Sequence, residues 1–232
     1  MLLFKQLLAD FFNLLFPDLC YGCGRQLYHG EEQICTHCIY DLSYTDFHLY
    51  RENKVARLFW GRLHCHSAMA MLYFKKGSRL QHLIHALKYK SQPGIGIKLG
   101  KILGERLLQG EAFCTAEVII PVPLHRKRQS NRGYNQSECI ANGIARVMNI
   151  PVNITQLVRQ AYTSTQTQKN RYSRFENMQA IFTVTDPAAL RDQHVLLVDD
   201  VITTGATLEA CGQALLDAGV KKLSIVALAF TE

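Results

Sequence analysis

The sequence predicts an α/β protein, a parallel sheet flanked by helices with a small cysteine-bearing module ahead of it. Three observations carry that prediction. Val195-Leu196-Leu197-Val198 is an uninterrupted apolar run, the mark of a strand buried on both faces, and Leu208 to Ala218 follows it with helical periodicity. Glu117 to Pro121 repeats the strand type earlier in the chain, again ahead of a helical stretch. Two Cys-x2-Cys pairs stand near the N-terminus, outside this alternation.

At 232 residues the chain holds one good-sized domain plus an appendage. Hydrophobic content of 48% with 19% charged residues excludes a disordered chain. The formal charge of +7 suits polyanionic partners such as nucleotides, pyrophosphate or nucleic acid, though a solvated basic face gives the same excess. The expected division is 1–45 for an amphipathic helix and the cysteine module, 46–66 for a connector, and 67–232 for the main domain.

Leu2 to Phe16 places Leu3, Phe4, Leu7, Leu8, Phe11, Leu14 and Leu15 on one side and polar residues on the other, ending at Pro17. It is too short and polar to span a bilayer and, with Lys5 and Asp10 inside it, does not resemble a signal peptide. It is expected to pack against its own protein or a partner, a membrane surface being the alternative. Cys20, Cys23, Cys35 and Cys38 can place four thiolates on one zinc ion in a closed shell, with Gly22 and Gly24 fitting the tight turn. A redox dithiol is the competing reading, but that chemistry uses a Cys-x-x-Cys opening a helix in a thioredoxin-like unit, a setting expected for neither pair. Cys65, Cys114, Cys139 and Cys211 are scattered and expected to be small core residues.

Ser67 to Phe74 is expected as a strand, Arg79 to Lys90 as a helix, Ser91 to Gly96 as a break and Ile97 to Leu108 as a second helix. His82 and His85 fall on the flank of the first helix and are not nominated for chemistry. After Pro121-Val122-Pro123-Leu124 comes the densest basic segment, His125 to Gln136, at the carboxyl end of a strand, where open α/β sheets bind ligands. Arg126, Lys127, Arg128 and Arg132 suit phosphate oxygens and Tyr134 offers a flat face to a base, while a solvated basic loop is the plainer reading. Ser137 to Met148 is expected as a helix, Gln156 to Arg159 and Ala180 to Val184 as short strands. Tyr162 to Asn177 is a long polar connection of the kind that forms lids, and Leu223 to Phe230 is the last strand.

The central stretch runs Val195 to Thr207. A strand entering a small-residue turn and then a helix aims several backbone N–H groups at one point, which suits a phosphate. Thr203, Thr204 and Thr207 add hydroxyl donors; Gly205 and Ala206 let an anion come close; Asp199 and Asp200 are acceptors for sugar hydroxyls or a bound Mg²⁺. Donors for phosphate beside acceptors for a diol describe a ribose 5-phosphate site. A Walker A ending is absent.

Val195 to Thr207 resembles the phosphoribosyl-pyrophosphate (PRPP) motif of type I phosphoribosyltransferases. Together with the cysteine pairs, Leu87-Lys88-Tyr89, Pro121-Val122-Pro123-Leu124, Arg132-Gly133-Tyr134-Asn135-Gln136, and Gln168 with Arg171 and Asn177, the chain from about Leu14 onward is similar to the ComF family of competence and DNA-utilisation proteins. The resemblance implies that Thr203 to Thr207 hold the 5-phosphate, that Asp199 and Asp200 face the ribose, and that Tyr162 to Asn177 closes over PRPP. It further implies that Lys88 and the Pro121–Arg132 region lie near pyrophosphate. If pyrophosphate departs from C1 of the ribose, Mg²⁺ and cations such as Lys169 or Arg171 stabilise the leaving group. Acceptor choice in related enzymes comes from a hood; with the last strand ending at Phe230, a hood is expected from the N-terminal half, the zinc module being its candidate. The family's role points to a cytoplasmic protein at the inner face of the membrane, binding PRPP and single-stranded DNA beside the DNA-uptake machinery. A phosphoribosyltransferase with an unidentified acceptor and a PRPP-sensing regulator are the alternatives.

Overall fold

A computed structural model describes residues 17–160 and 181–231. The amphipathic stretch expected over Leu2 to Phe16 and all of the expected lid, Tyr162 to Asn177, lie outside them. Four parallel strands form the main sheet: β1 (Ser67–Tyr73), β2 (Val118–Pro121), β5 (His194–Ile202) and β6 (Lys222–Phe230), in the order β1-β6-β5-β2. A two-stranded antiparallel pair, β3 (Leu157–Arg159) and β4 (Phe182–Val184), stands apart from it. The helices are α1 (Thr36–Tyr40), α2 (Lys54–Arg57), α3 (Arg79–Tyr89), α4 (Pro93–Gln109), α5 (Arg126–Arg132), α6 (Gln136–Met148) and α7 (Ala206–Asp217).

The expected strand at Val195 is the heart of the sheet. Val195 to Val198 are fully buried between β2 and β6, as two-sided burial of a central parallel strand demands. Truncating Leu197 to alanine would cost about 2–5 kcal/mol. The strand runs four residues past the apolar run, through both acids to Ile202, because Asp199 and Val201 still pair with Ala227 and Ala229 of β6. Both sheet edges are closed: Thr45 N–H donates to Met71 and Tyr73 N–H to Ser43 beside β1, while Ile119 N–H donates to Pro151 beside β2.

Three expectations need correction. The break at Ser91 to Gly96 is shorter than expected, since α4 starts at Pro93, where proline's fixed φ and missing N–H suit a first helical position. The basic segment contains a short helix, α5, with His125 Nδ1 accepting from Lys127 N–H at 3.2 Å and Gly133 ending it at φ +79°. Cys114 is exposed and Cys65 only half-buried, whereas Cys139 and Cys211 are buried as expected.

The cysteine module is fused to the sheet domain by a shared core that includes Ile34, Cys38 and Leu83. Lys98 donates to the carbonyls of Glu32 and Ile34 at 3.1 and 3.0 Å, and Arg79 pairs with Asp41 at 2.6 Å. The 46–66 stretch is folded as well. Asn53 is buried, caps α2 through Val55 and Ala56 N–H, and donates to the carbonyls of Tyr50 and Ala68 at 2.9 Å each. Among the described residues no helix is long and apolar enough to cross a membrane.

Candidate functional site

Parallel strands deliver their carboxyl ends to one side of the sheet, and β5 ends there in Asp199, Asp200 and the turn to α7. Gly205 sits at φ +76° as the residue before α7, a conformation that strains any side chain. A Cβ at Gly205 would also meet the Phe59 ring at 3.1 Å. The N–H groups of Thr203, Thr204 and Gly205 make no hydrogen bond to any described residue. The first turn of α7 adds amides that lack intrahelical partners, and Ala206 N–H reaches Thr204 Oγ1 only at 3.4 Å. Thr203, Thr204 and Thr207 are exposed around a buried Gly205. The loop therefore offers donors to an anion and keeps none of its three central amides for itself.

The paired acids differ in setting. Asp199 accepts from Ser137 Oγ at 2.9 Å and from Asp200 N–H at 2.8 Å. Burial, and then the charge of Asp200, push its carboxyl up to about 7. Asp200 is ion-paired with Lys88 of α3 at 2.8 Å, so the fold brings that lysine to the acids. Lys88 also lines a cavity of about 520 Å³ with Tyr89, Ser91, Arg128, Asn131 and Arg132. Of the basic segment, Arg128 and Arg132 share the cavity with Lys88; Arg126 and Lys127 lie exposed on α5 outside that lining. Tyr134 does not stand free as expected: its hydroxyl donates to Leu87 O and its half-buried ring packs on the core, bracing α3. Lys169 and Arg171 lie outside the described residues; on either side of them Gln160 N–H donates to Ile181 O at 2.8 Å.

Two contributors went unseen in the sequence. Phe59 backs Gly205, and Arg62 donates to Thr204 O at 3.2 Å while pairing with Glu209 of α7, so the supposed connector buttresses the loop. The signal was present in Val55, Ala56, Phe59 and Leu63, apolar at helical intervals and all buried.

The four cysteines converge. Their sulfurs all lie within 4.8 Å of one another, with Cys20–Cys38 at 3.6 Å and Cys23–Cys35 at 3.8 Å. A tetrahedron with metal–sulfur bonds of about 2.3 Å has edges of about 3.8 Å, so the set fits zinc, and the separations are far from a disulfide's. Gly22 and Cys35 N–H point at Cys20 Sγ from 3.4 and 3.3 Å, and Cys38 N–H at Cys35 Sγ from 3.4 Å. Burial alone would raise the Cys20 thiol; the amides of Cys35, Cys23 and Gly22 outweigh it and bring it to about 7. Gly24, at φ +73°, makes the knuckle turn.

A parallel sheet with a donor-lined loop behind its central acidic strand defines a type I phosphoribosyltransferase fold, and residues 135–231 match the phosphoribosyl transferase domain family. The chain is 30% identical over 216 residues to competence protein F of Haemophilus influenzae, covering 91% of this chain and 90% of that one. It is 28% identical over 155 residues to the DNA utilization protein YhgH of Escherichia coli (strain K12), covering 66% and 67%. The chain belongs to the ComF family of competence and DNA-utilisation proteins. Among solved structures, a glutamine PRPP amidotransferase from B. subtilis is similar at 21% identity and TM-score 0.45, over 62% of this chain and 30% of that one.

Proposed function

We propose that this protein binds PRPP–Mg²⁺ at the β5–α7 loop and serves DNA uptake and natural transformation by handling single-stranded DNA, with the cysteine cluster holding structural zinc. The observation that carries the reading is the set of unengaged amides at Thr203, Thr204 and Gly205 beside the Asp199–Asp200 pair. The 5-phosphate takes the amides and the hydroxyls of Thr203, Thr204 and Thr207, with Ala206 leaving room. The acids take the ribose hydroxyls and the Mg²⁺ that PRPP carries, and Lys88 turns from Asp200 to the pyrophosphate, where Arg132 joins it. The names of the H. influenzae and E. coli relatives, competence and DNA utilization, support the DNA role, and the net charge of +7 suits it.

Calorimetry with PRPP–Mg²⁺ tests the site. The parent should bind and the Asp199→Ala/Asp200→Ala variant should not, with an unchanged fold; equal binding by both would refute the assignment. For DNA, replacing Arg126, Lys127, Arg128 and Arg132 by alanine should weaken single-strand binding and flatten its salt dependence. No loss of affinity would remove that segment from the interface.

A second reading, phosphoribosyl transfer to an acceptor, is favoured by Asp199. A carboxyl lifted to about 7 exchanges a proton readily near neutrality, as a group assisting an acceptor's deprotonation must. In that chemistry Lys88, Lys169, Arg171 and Arg132 neutralise the departing pyrophosphate. Release of pyrophosphate from PRPP in the presence of an acceptor distinguishes the two.

A further inference from the structure

The exposed aromatic surface expected at Tyr134 exists on α3 instead. Arg79, His82, His85 and Tyr89 recur at intervals of three, three and four along the side opposite the buried Leu80, Leu83, Ile84 and Leu87. The first two are committed to the cysteine module, Arg79 to Asp41 and His82 Nδ1 to Gly22 O at 3.1 Å. The last two form a ladder. The rings of His85 and Tyr89 are 4.9 Å apart and tilted by 46°, and the Arg132 guanidinium of α5 lies 5.2 Å from the Tyr89 ring centre. Tyr89 nevertheless stays 65% exposed, so its ring is available to more than its own neighbours.

This last turn of α3 divides two basic cavities. Lys88 and Tyr89 line the one of about 520 Å³ with Arg128 and Arg132. His85 and Lys90 line the other, of about 1000 Å³, which lies against the Cys20–Gly24 knuckle and includes Arg25. Arg25, Lys90, Arg128 and Arg132 have no carboxylate partner among the described residues. Planar groups in series, with unpaired cations on both sides, match the needs of a single strand: its bases stack whatever their identity and its phosphates find positive charge. A duplex keeps its base faces to itself, and a mononucleotide fills only one cavity.

On the reading that this chain handles single-stranded DNA, we propose that the strand lies across the C-terminal turn of α3. Its bases pack on the exposed Tyr89 ring between His85 and Arg132, and its phosphates rest on Lys88, Lys90 and Arg128. Since Lys88 pairs with Asp200 and Arg132 lines the same cavity as Lys88, the strand and PRPP draw on the same cations and exclude one another.

Fluorescence anisotropy of a labelled twelve-nucleotide oligo-dT with the full chain, at fixed ionic strength, tests this. Tyr89→Ala should weaken binding about tenfold, a typical loss for one stacked base, and Tyr89→Phe should bind like the parent. Saturating PRPP–Mg²⁺ should displace the oligonucleotide. If the parent binds and Tyr89→Ala binds equally well, the track lies elsewhere although the broader reading stands. A loss in Tyr89→Phe equal to that in alanine would deny stacking, and undisturbed anisotropy under PRPP would deny the shared cations. If the parent fails to bind even at low salt, the DNA reading itself falls.

Discussion

Asp199 is the residue in which burial and function meet. Its carboxyl is raised to about 7 by burial and by Asp200, so the folded chain holds a proton there that the unfolded chain releases near pH 4. Stability from this group is therefore intact below pH 4, falls as pH rises toward 7, and is level above. Asp199→Asn keeps an acceptor for Ser137 Oγ and removes the charge. The variant should match the parent near pH 4 and exceed it by on the order of 4 kcal/mol above pH 7, read by denaturant titration across that range. A gap that does not change with pH would mean that Asp199 is solvated in the folded protein. At Gly205 the argument is steric. Alanine there takes on both a left-handed backbone and the Phe59 ring, so Gly205→Ala should cost about 1–2 kcal/mol and weaken PRPP binding together.

At the scale of elements, β5 is anchored at both ends by titrating groups of opposite sense. His194 is sandwiched at its start, Nδ1 against Thr115 Oγ1 at 2.8 Å and Nε2 against Ser224 Oγ at 2.9 Å, with the His66 ring 5.4 Å away. Burial, and then His66, hold its pKa below the usual histidine value. The unfolded chain takes up that proton first as pH falls through about 6.5, so this contribution to stability is present above that pH and drains away below it. His194→Gln should flatten the acid side of the parent's stability profile, measured by melting temperature between pH 7 and 5; parallel profiles would show that His194 charges without penalty. The cysteine module is the second element with its own test. Metal analysis should find one zinc per chain, and a chelator should lower the melting temperature, because Cys38 and Ile34 belong to the same core as Leu83.

Elements that obey local periodicity were legible in the sequence. The Val195–Val198 strand, the α7 helix and the cysteine spacing each express their rule within about twenty residues. The Lys88–Asp200 pair spans more than a hundred positions, and Phe59 meets Gly205 across a similar distance, so no window contains either contact. The α5 helix was hidden for a different reason. It buries no residue, so it has no apolar stripe to announce it. Tyr134 spends its hydroxyl on Leu87 O of α3, while Tyr89, on α3 itself, stays exposed beside Arg132; both contacts reach across more than forty positions.

For the whole molecule, the sheet and its helices serve to hold one loop open. The parallel order β1-β6-β5-β2 puts the acidic strand in the interior of the sheet, the connector backs the loop, and α3 brings a lysine from one side. A ligand that binds only this folded arrangement must stabilise it. At a hundred times its dissociation constant, PRPP–Mg²⁺ should add about 2.7 kcal/mol, a rise of about 5–10 °C in a chain of this size. The Asp199→Ala/Asp200→Ala variant should show no rise, and a rise of equal size there would place the ligand elsewhere. The most direct measurement is an amide chemical-shift titration of the zinc-loaded chain with PRPP–Mg²⁺. Saturable shifts of the Thr204, Gly205 and Thr207 N–H signals, with Gly24 N–H in the cysteine knuckle unmoved, are the result expected of an anion seated on those amides. A titration that leaves Gly205 unmoved would contradict it.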